Sequence, residues 1–478
     1  MTSTTFSAML SCLLIVLGSA PAMGQQARDP DSGARVDRLV EGYRVGRHVP
    51  GIAIAVVRSG TVIKAKGYGF ANLELKAPVT PATVFGLGSI SKQFTATAIM
   101  QLVEDGKVRL DDPVTRYLDS LPPHWGRITV RQLLTHTSGI PEEHWLPNFV
   151  EFDRFEHHQL DVLRTIFADS LQSEPGAVWA YRNSGYRMLG MIVEKASGES
   201  YWAFMERRIF TPLRMTATRS SDPKSLIPHR ARGYGKERGR VVNRDAVTES
   251  AAFSEGALMS SVLDLARWDS SLYRPRVLTP ASLDQMWTPV TLTNGQSYPY
   301  GFGWMVAPTN GLRTVGHGGS LPGFLTNFSR FVAKGLTVVV LGNAEWADPA
   351  ALAQAIAGIY EPELAPKPPA AIDDADPGFS AGIRTLADGL RRGELDLSRL
   401  APDARDEWSA GAVNEAAALL RRGGRIRQFE LVGRLDRGGL ARRRYRMVMD
   451  RGALVVTVLT RGTDPLLSLT LEEALASR

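Results

Sequence analysis

The 478-residue sequence contains a single cysteine, Cys12, which lies inside an apolar stretch near the N-terminus. A disulfide needs two thiols, and a cysteine-ligated zinc site needs more than one, so the composition excludes both. Removal of the N-terminal segment would leave no thiol, and therefore no cysteine nucleophile. A chain of this length buries enough apolar surface to be stable without cross-links.

The apolar stretch itself, residues 8–17, is too short to remain as a membrane-spanning helix. The small residues Ala20-Pro21-Ala22 follow it, which is the order found in a secretory signal peptide and its cleavage site. The first ten residues contain no lysine or arginine, so only the amino terminus supplies positive charge there. We predict a signal peptide over residues 1–24 and a periplasmic or secreted protein with no stable membrane span after cleavage.

Basic side chains outnumber acidic ones, and the net charge is +7. Ten arginines fall between residues 421 and 446 and account for much of this excess. Net charge alone names no partner, and an arginine-rich stretch is most often a solvated face. Contact with an anionic cell-wall polymer or with lipid headgroups is the alternative, whereas nucleic acid is not expected as the partner of an exported protein.

Periodic patterns predict a sheet whose strands come from both ends of a long region. Helical spacing over 34–45 is followed by two predicted strands, Gly51–Val57 and Thr61–Phe70, joined by a tight turn. A mainly helical stretch over 89–290 comes next. Three strands and a helix are then predicted at Tyr300–Val306, Phe324–Val332, Leu336–Leu341 and Ala350–Ile359. The expected fold class is α/β (α+β), an antiparallel sheet flanked by helices with a helical lobe against it, and a cleft between the two.

A proline- and alanine-rich segment, residues 363–377, is predicted to be a linker. Helical patterns follow at Ile383–Leu390 and Ala412–Leu420. Strands are predicted at Gln428–Leu435, Arg444–Met449, Leu454–Leu459 and Leu466–Leu471. The predicted order is thus a signal peptide at 1–24, a main domain at 34–362, the linker, and a small C-terminal α+β domain of unknown function at 378–478.

The chemistry is centred on Ser89 and Lys92 in the segment Gly88-Ser89-Ile90-Ser91-Lys92. Apolar residues at helical spacing follow, so Ser89 is expected at the N-terminus of a buried helix. Residues three apart share a helix face, which lets the Lys92 amine reach the Ser89 hydroxyl. Lysine is almost fully charged at its usual pKa of about 10.4, so a base there needs burial or nearby positive charge. The spacing predicts a serine nucleophile activated by lysine.

Two other segments offer rival serines. Ser221-Asp222-Pro223-Lys224 repeats the spacing, but its proline stands among polar residues, with no apolar helix around it. Gly378-Phe379-Ser380-Ala381-Gly382 has the Gly-x-Ser-x-Gly form of a hydrolase elbow, which requires a buried strand before the serine. Acidic residues precede it instead. We reject both as nucleophile sites.

Two further motifs support the first one. Tyr181 and Asn183 flank Arg182 ahead of a helical pattern, and His317 lies in Gly316-His317-Gly318-Gly319-Ser320 ahead of a predicted strand. In an extended turn, residues 181 and 183 point the same way. A phenol beside Ser89 and Lys92 can relay protons, and a carboxamide can hold both the lysine and a substrate amide. Alone, these residues would be interpreted as a turn that caps a helix.

Ser-x-x-Lys, Tyr-x-Asn and His-x-Gly in this order resemble the serine β-lactamase and penicillin-binding-protein superfamily, most of all its class C branch, the CubicO or peptidase S12 type. Thr83-Val84-Phe85, residues 133–140 and Glu174-Pro175-Gly176 also match. The resemblance covers residues 34–362. It implies a β-lactamase/transpeptidase-like fold and acyl transfer that needs no metal or organic cofactor.

The resemblance also implies roles for the site residues. Ser89 would be the nucleophile, Lys92 its base, and Tyr181 a proton relay that also helps deacylation. The remaining implied positions are Asn183 on the substrate amide, the backbone N–H groups of Ser89 and Ser320 around the oxyanion, and His317 and Gly319 along the substrate edge of a strand. His136 is expected to be a structural hydrogen bonder.

One departure from the family pattern limits the substrate prediction. Many β-lactamases have Lys-Thr-Gly where this chain has His317-Gly318-Gly319, and the lysine pairs with a substrate carboxylate. Histidine is mostly neutral at pH 7, so it is a poor substitute; Arg182 would restore the charge if its side chain entered the cleft. We expect a peptidase or amidase of D-amino-acid type acting on small-molecule or peptide substrates, cell-wall peptides among them. The alternatives are a carboxylesterase, then a β-lactamase, and, from another class, a non-catalytic sensor that binds β-lactams or peptidoglycan.

Overall fold

The computed structural model describes residues 31–143, 155–237, 239–274, 276–406, 408–437, 439–462 and 465–473. The predicted signal peptide and Cys12 lie outside these ranges. Within them, none of the helices has the length and apolar character that a membrane span requires.

Fourteen α-helices and eighteen strands lie within the described residues. The α-helices are Ser32–Gly46, Ser91–Glu104, Val130–Leu134, Gln159–Arg164, Asn183–Ser197, Tyr201–Met205, Thr211–Leu213, Glu249–Gly256, Val262–Ser271, Pro280–Met286, Pro349–Tyr360, Pro377–Arg392, Pro402–Asp406 and Ala410–Gly423. The strands are β1 Gly51–Arg58, β2 Thr61–Asn72, β3 Ala77–Pro78, β4 Phe85–Gly86, β5 Arg219–Ser220, β6 Tyr234–Glu237, β7 Arg240–Asn243, β8 Leu258–Ser260, β9 Val290–Thr291, β10 Ser297–Tyr298, β11 Met305–Thr309, β12 Leu312–Leu321, β13 Phe324–Phe331, β14 Leu336–Gly342, β15 Ile426–Arg437, β16 Leu440–Met449, β17 Ala453–Thr460 and β18 Leu466–Glu473.

The central feature is a seven-stranded antiparallel sheet in the order β11-β12-β13-β14-β1-β2-β3. Its middle joins the two ends of the region, because β1 pairs with β14 on one side and with β2 on the other. Ile52 in β1 faces Gly342 on one neighbour and Tyr68 on the other. The predicted sheet built from both ends, with a helical lobe inserted between, is confirmed.

Two strand predictions near the site need correction. Tyr300–Val306 is not one strand, because β11 begins only at Met305. Gly303 explains the difference: it has a φ of +78°, and a Cβ there would lie 2.5 Å from the Lys92 carbonyl oxygen. The glycine-rich motif around His317, by contrast, lies inside a strand, β12, although its composition does not favour one.

The helix Ser91–Glu104 packs against the helices Asn183–Ser197 and Glu249–Gly256, and every side chain from Ser91 to Leu102 is buried. A helix that is buried all round needs apolar neighbours on every side. Phe94 stacks near Trp268 with a centroid distance of 4.5 Å and meets Phe210 edge-on at 6.0 Å. This packing fixes the first turn of the helix, which carries Lys92.

The C-terminal residues form a separate hydrophobic cluster around Ile383, Leu390, Tyr445 and Val456. The sheet there is a four-stranded antiparallel meander in the order β15-β16-β17-β18. All four strands and both long helices agree with the sequence predictions. The division into a main domain, linker and C-terminal domain stays a prediction.

Candidate active site

Ser89 lies on a single 3-10 turn, Gly88–Ile90, directly before the helix Ser91–Glu104. Gly88 adopts a φ of +56°, a conformation that favours glycine. The Ser91 hydroxyl donates to the Gly88 carbonyl at 2.7 Å and fixes the turn. Ser89 is therefore presented at the N-terminal end of a buried helix, as predicted.

Lys92 reaches Ser89 from the first turn of that helix. Its Nζ lies 3.1 Å from Ser89 Oγ, 2.7 Å from Asn183 Oδ1 and 2.9 Å from the Glu255 carbonyl oxygen. The side chain is fully buried. Nζ also lies 4.9 Å from the centre of the Tyr181 ring and 5.4 Å from that of Tyr186.

The environment of the Lys92 amine lowers its pKa to about 8. Burial is the main cause, because removal from water disfavours the charged form. The carboxylates of Glu255, Glu142 and Glu143 act in the opposite direction, and the Arg187 guanidinium lowers the pKa further. With a pKa of about 8, roughly a tenth of the lysine is neutral at pH 7.

Tyr181 and Asn183 stand next to the Ser89–Lys92 pair. Asn183 is the first residue of its helix, and its carboxamide oxygen accepts from Lys92. Burial raises the pKa of the Tyr181 phenol well above its usual value, and the nearby Ser89 hydroxyl lowers it only in part. No hydrogen bond of normal geometry to the Tyr181 hydroxyl occurs within the described residues. A phenol with a raised pKa keeps its proton at neutral pH, so of the two groups Lys92 is the better base.

Strand β12 lies directly against the turn that carries Ser89. The contact is close because the glycines there have no side chains that would hold the two backbones apart. A Cβ at Gly319 would be 1.8 Å from the Leu87 carbonyl oxygen, and one at Gly88 would be 2.5 Å from the Ser320 nitrogen. The Thr326 hydroxyl from β13 donates to the same Leu87 carbonyl at 2.8 Å. The two glycines thus allow the Ser320 backbone to approach the turn that carries Ser89.

Four ring-bearing side chains, which we call the aromatic cluster, lie beside this turn: His136, Tyr181, Tyr300 and His317. Their hydrogen bonds have one consistent direction. The Arg182 N–H donates to His136 Nδ1 at 3.1 Å, so the Nε2–H of the neutral ring donates to the Tyr300 hydroxyl at 3.2 Å. Tyr300 then donates to His317 Nε2 at 3.0 Å, and His317 Nδ1–H donates to the Gly318 carbonyl at 2.6 Å.

Both histidines of the aromatic cluster are neutral in this arrangement. Burial lowers the pKa of His317 to about 4 and that of His136 well below its usual value. Each ring also has one nitrogen that serves as an acceptor, which a charged imidazolium could not do. His317 therefore carries no charge here. His136 is a structural hydrogen bonder, as predicted.

Arg182 does not supply the missing charge. Its Nε donates to the Ile140 carbonyl at 3.0 Å, and its terminal nitrogens reach the Tyr181 carbonyl and Gln172 Oε1 at 3.0 and 2.5 Å. The side chain is buried among these groups and does not line the Ser89 cleft. The condition under which Arg182 would restore the charge is therefore not met, because local carbonyls already bind its guanidinium.

A second buried group, which we call the ionic cluster, also lies near Lys92 and was not found from the sequence. It consists of Glu142, Glu143, Arg187 and Glu255. Arg187 Nε donates to Glu143 at 2.9 Å, and its other nitrogens reach Glu255 at 3.5 Å and the carbonyls of Ser250 and Ala251. The one available signal was an arginine in a helix pattern that is otherwise apolar.

The three carboxylates of the ionic cluster lie within 4.8 Å of one another. Such a set resembles an oxygen site for a hard cation. However, the Arg187 guanidinium already contacts two of them, and Glu142 accepts from the Asn183 backbone N–H at 2.5 Å. The cluster thus contains its own cation and caps the helix that carries Asn183.

Ser89 opens into a cleft of about 510 Å³. Its walls are Asn183, Val247, Ala251, Ala252, Glu255, Gly256, Ser320, Leu321, Pro322 and Glu345. Among the described residues, the hydroxyl of neither rival serine, Ser221 or Ser380, is hydrogen-bonded to a lysine. Ser380 lies inside a helix and donates to Tyr445 at 3.0 Å, and Lys224 is exposed on a loop, where its N–H is bound by Asp222.

Comparison with known proteins agrees with this architecture. The Beta-lactamase family model matches residues 36–361. Penicillin-binding protein 4* of Bacillus subtilis (strain 168) is 33% identical, over 60% of this chain and 68% of that protein. Among solved structures, D-amino acid amidase from Ochrobactrum anthropi SV3 has a TM-score of 0.60 at 26% identity, over 70% of this chain and 98% of that one. D-stereospecific amidohydrolase from Streptomyces sp. has a TM-score of 0.58 at 26% identity, over 69% and 98%.

The fold and these matches define a serine hydrolase of the serine β-lactamase and penicillin-binding-protein superfamily, which acts through an acyl-enzyme. The chain belongs to the Beta-lactamase family over residues 36–361.

Proposed function

We propose that the protein is an exported serine amidase or peptidase that acts on D-amino-acid amides or peptides with an uncharged leaving side. One observation carries the proposal: Ser89 Oγ lies 3.1 Å from a fully buried Lys92 amine whose pKa is about 8. A serine hydroxyl is a weak nucleophile until an adjacent base takes its proton.

In this mechanism Ser89 Oγ attacks the substrate carbonyl carbon while its proton passes to neutral Lys92. The C–N bond then breaks, and the leaving amine takes a proton from Tyr181, which Lys92 reprotonates. The raised pKa of Tyr181 means that the phenol holds its proton at neutral pH, so the proton is present when the amine leaves. Water attacks the acyl-enzyme in the second half, with the proton path reversed, and releases the acid.

The backbone N–H groups of Ser89 and Ser320 would bind the oxyanion. Two such donors stabilise a tetrahedral intermediate strongly, since losing one donor of this kind costs about a hundredfold or more in rate. The support for this role is the close approach of the Ser320 backbone to Gly88, which only glycines permit. Asn183, whose oxygen accepts from Lys92, has its amide nitrogen as a donor for the substrate.

The neutral aromatic cluster supports amides over β-lactams. A β-lactam or a C-terminal residue carries a carboxylate on the leaving side, and His317 offers no charge to bind it. The names of two matched structures, a D-amino acid amidase and a D-stereospecific amidohydrolase, agree with an amide substrate. Peptides of the cell wall are the natural class of substrate that contains D-residues. Carboxylesterase activity ranks second and β-lactamase activity third.

Three further assignments belong to the proposal: a signal peptide at residues 1–24, the class C (CubicO, peptidase S12) branch, and a linker at 363–377 before a C-terminal domain. The test of the activity is a panel of D-alanyl p-nitroanilide, a p-nitrophenyl ester and nitrocefin, assayed with wild type and Ser89→Ala. We expect the anilide to be the best substrate and every activity to disappear in the variant. Activity that survives in Ser89→Ala would refute the mechanism.

The rival from another class is a sensor that is acylated but does not turn over. Intact mass after incubation with a β-lactam distinguishes the two. An adduct that forms and then disappears supports turnover, whereas one that persists for hours supports the sensor. The Tyr181 phenol beside Ser89 and Lys92 favours turnover, because it can carry protons during deacylation.

A further inference from the structure

A second cavity adjoins the Ser89 cleft. It has a volume of about 370 Å³ and shares Val247, Leu321 and Pro322 with the cleft. Its far wall comes from residues 230–233 and from the loop that contains Ser221. The two cavities are therefore neighbours along the end of strand β12, on the side of Ser320 away from His317.

Among the described residues that line this second cavity, three are arginines, Arg230, Arg232 and Arg244, and one is acidic, Asp245. The charge of Arg244 is already neutralised, because Arg244 forms ion pairs with Glu237 at 2.8 Å and with Glu345 at 3.0 Å. That pairing also offsets the charge of Glu345 at the junction with the cleft.

Within the described residues, the hydrogen bonds of Arg230 and Arg232 go to neutral groups. Arg230 donates to the carbonyls of Ser221 and Asp222 at 3.0 and 3.1 Å, and Arg232 Nε donates to Asn243 Oδ1 at 3.1 Å. Neither forms an ion pair with a carboxylate in the part of the chain that the structure describes. Burial lowers the pKa of Arg230, and the nearby positive charge of Arg232 lowers it further. The Asp222 carboxylate raises the pKa and acts against both.

Two neighbouring guanidiniums that repel each other, with only the Asp222 carboxylate near Arg230 to offset them, gain most from an anion placed between them. A guanidinium stays charged in proteins and binds a carboxylate through two parallel hydrogen bonds. The walls that this cavity shares with the Ser89 cleft, Val247, Leu321 and Pro322, would accommodate the apolar part of a substrate that bridges the two.

The direction of the bridge follows from the proposed mechanism, on which this inference rests. The leaving group meets Tyr181, whose ring lies 6.1 Å from that of His317. The acyl group must then extend the opposite way, along Leu321 and Pro322. We infer that the cavity around Arg230 and Arg232, here called the arginine pocket, binds a carboxylate carried at the far end of the acyl group.

The test uses p-nitrophenyl monoesters of adipate, suberate and sebacate, each compared with the methyl ester of its free carboxylate. At the best chain length we expect kcat/KM to be about tenfold higher for the carboxylate than for its methyl ester. Arg232→Gln should lower kcat/KM for the carboxylate about tenfold more than for the methyl ester. The matched control is Arg240→Gln, an exposed arginine of β7 that lines neither cavity and should change neither rate.

A carboxylate preference that is absent at every length, or equal losses for both substrates in Arg232→Gln, would overturn the arginine pocket. Failure of wild type to hydrolyse both the p-nitrophenyl methyl diesters and D-alanyl p-nitroanilide would instead count against the proposed function. In that case, calorimetric binding of suberate monoamide to Ser89→Ala still tests the pocket without turnover. Binding must weaken about tenfold when Arg232→Gln is added, and undiminished binding would refute the inference.

Discussion

The aromatic cluster and the ionic cluster flank the same lysine but differ in charge. The aromatic cluster holds two neutral histidines in a directed chain of hydrogen bonds. The ionic cluster holds three carboxylates around one guanidinium, and all of these side chains are buried. The aromatic cluster is uncharged. The carboxylates of the ionic cluster raise the Lys92 pKa and so oppose the effect of burial. We infer that the ionic cluster adjusts the pKa of the Lys92 amine and that the aromatic cluster selects the substrate.

The largest effect is expected for Lys92, which lies near both clusters. Lys92→Met keeps the side-chain volume but removes the amine, and kcat/KM should fall about a thousandfold because Ser89 loses its base. Steady-state kinetics on the best substrate of the panel measures this. Lys195→Met, which removes an exposed lysine paired with Asp119, is the control and should leave the rate unchanged. A loss below about tenfold for Lys92→Met would mean that another group acts as base.

The next effect tests the ionic cluster alone. Arg187→Met leaves Glu143 and Glu255 buried without their cation, so the free energy of unfolding should fall by about 3–5 kcal/mol. Denaturant unfolding gives the value. Arg131→Met removes the exposed ion pair with Asp111 and should cost less than about 1 kcal/mol. Equal losses for the two variants would show that the buried ion pairs contribute no more than the exposed one.

A third variant places a positive charge in the aromatic cluster, so that both clusters are charged. His317→Lys provides a cation for a leaving-side carboxylate, and nitrocefin hydrolysis should rise about tenfold relative to D-alanyl p-nitroanilide. The exposed ring of His124 offers the control His124→Lys. An unchanged substrate ratio would show that the charge at position 317 does not select the substrate.

The smallest effect concerns the hydroxyl that links the two histidines. Tyr300→Phe removes the donor to His317 and the acceptor for His136, so kcat/KM should fall about threefold to tenfold through a less fixed His317 ring. Tyr298→Phe is the control, since that ring stacks on Trp179 and its hydroxyl has no hydrogen bond among the described residues. Indistinguishable rates for the two variants would exclude a positioning role for Tyr300.

The sequence predicted the contacts that depend on local geometry. Ser89 and Lys92 are three residues apart in one helix, so their contact follows from helix periodicity alone. The sheet followed from strand patterns at both ends of the main region. Neither prediction required knowledge of how distant segments pack.

The ionic cluster could not be predicted, because Glu142, Arg187 and Glu255 come from three segments that only tertiary packing brings together. Strand β12 was missed by the strand pattern for a different reason, and only the family resemblance placed His317 and Gly319 on a strand. Its glycines lower the strand propensity, yet they are needed where the backbone of the nucleophile turn comes close, as at Gly319. Strand propensity therefore gave a wrong prediction at a position where the site needs glycine for close backbone contact.

The most direct test of the central claim, that neutral Lys92 activates Ser89, is the pH dependence of acylation. A fluorophosphonate label should attach to Ser89, confirmed by peptide mapping, at a rate measured between about pH 6 and 9. A base must be deprotonated to act, so the rate should rise about tenfold per pH unit and level off above the Lys92 pKa of about 8. A rate that is already constant from pH 6 upward would contradict the claim and point to a base with a much lower pKa.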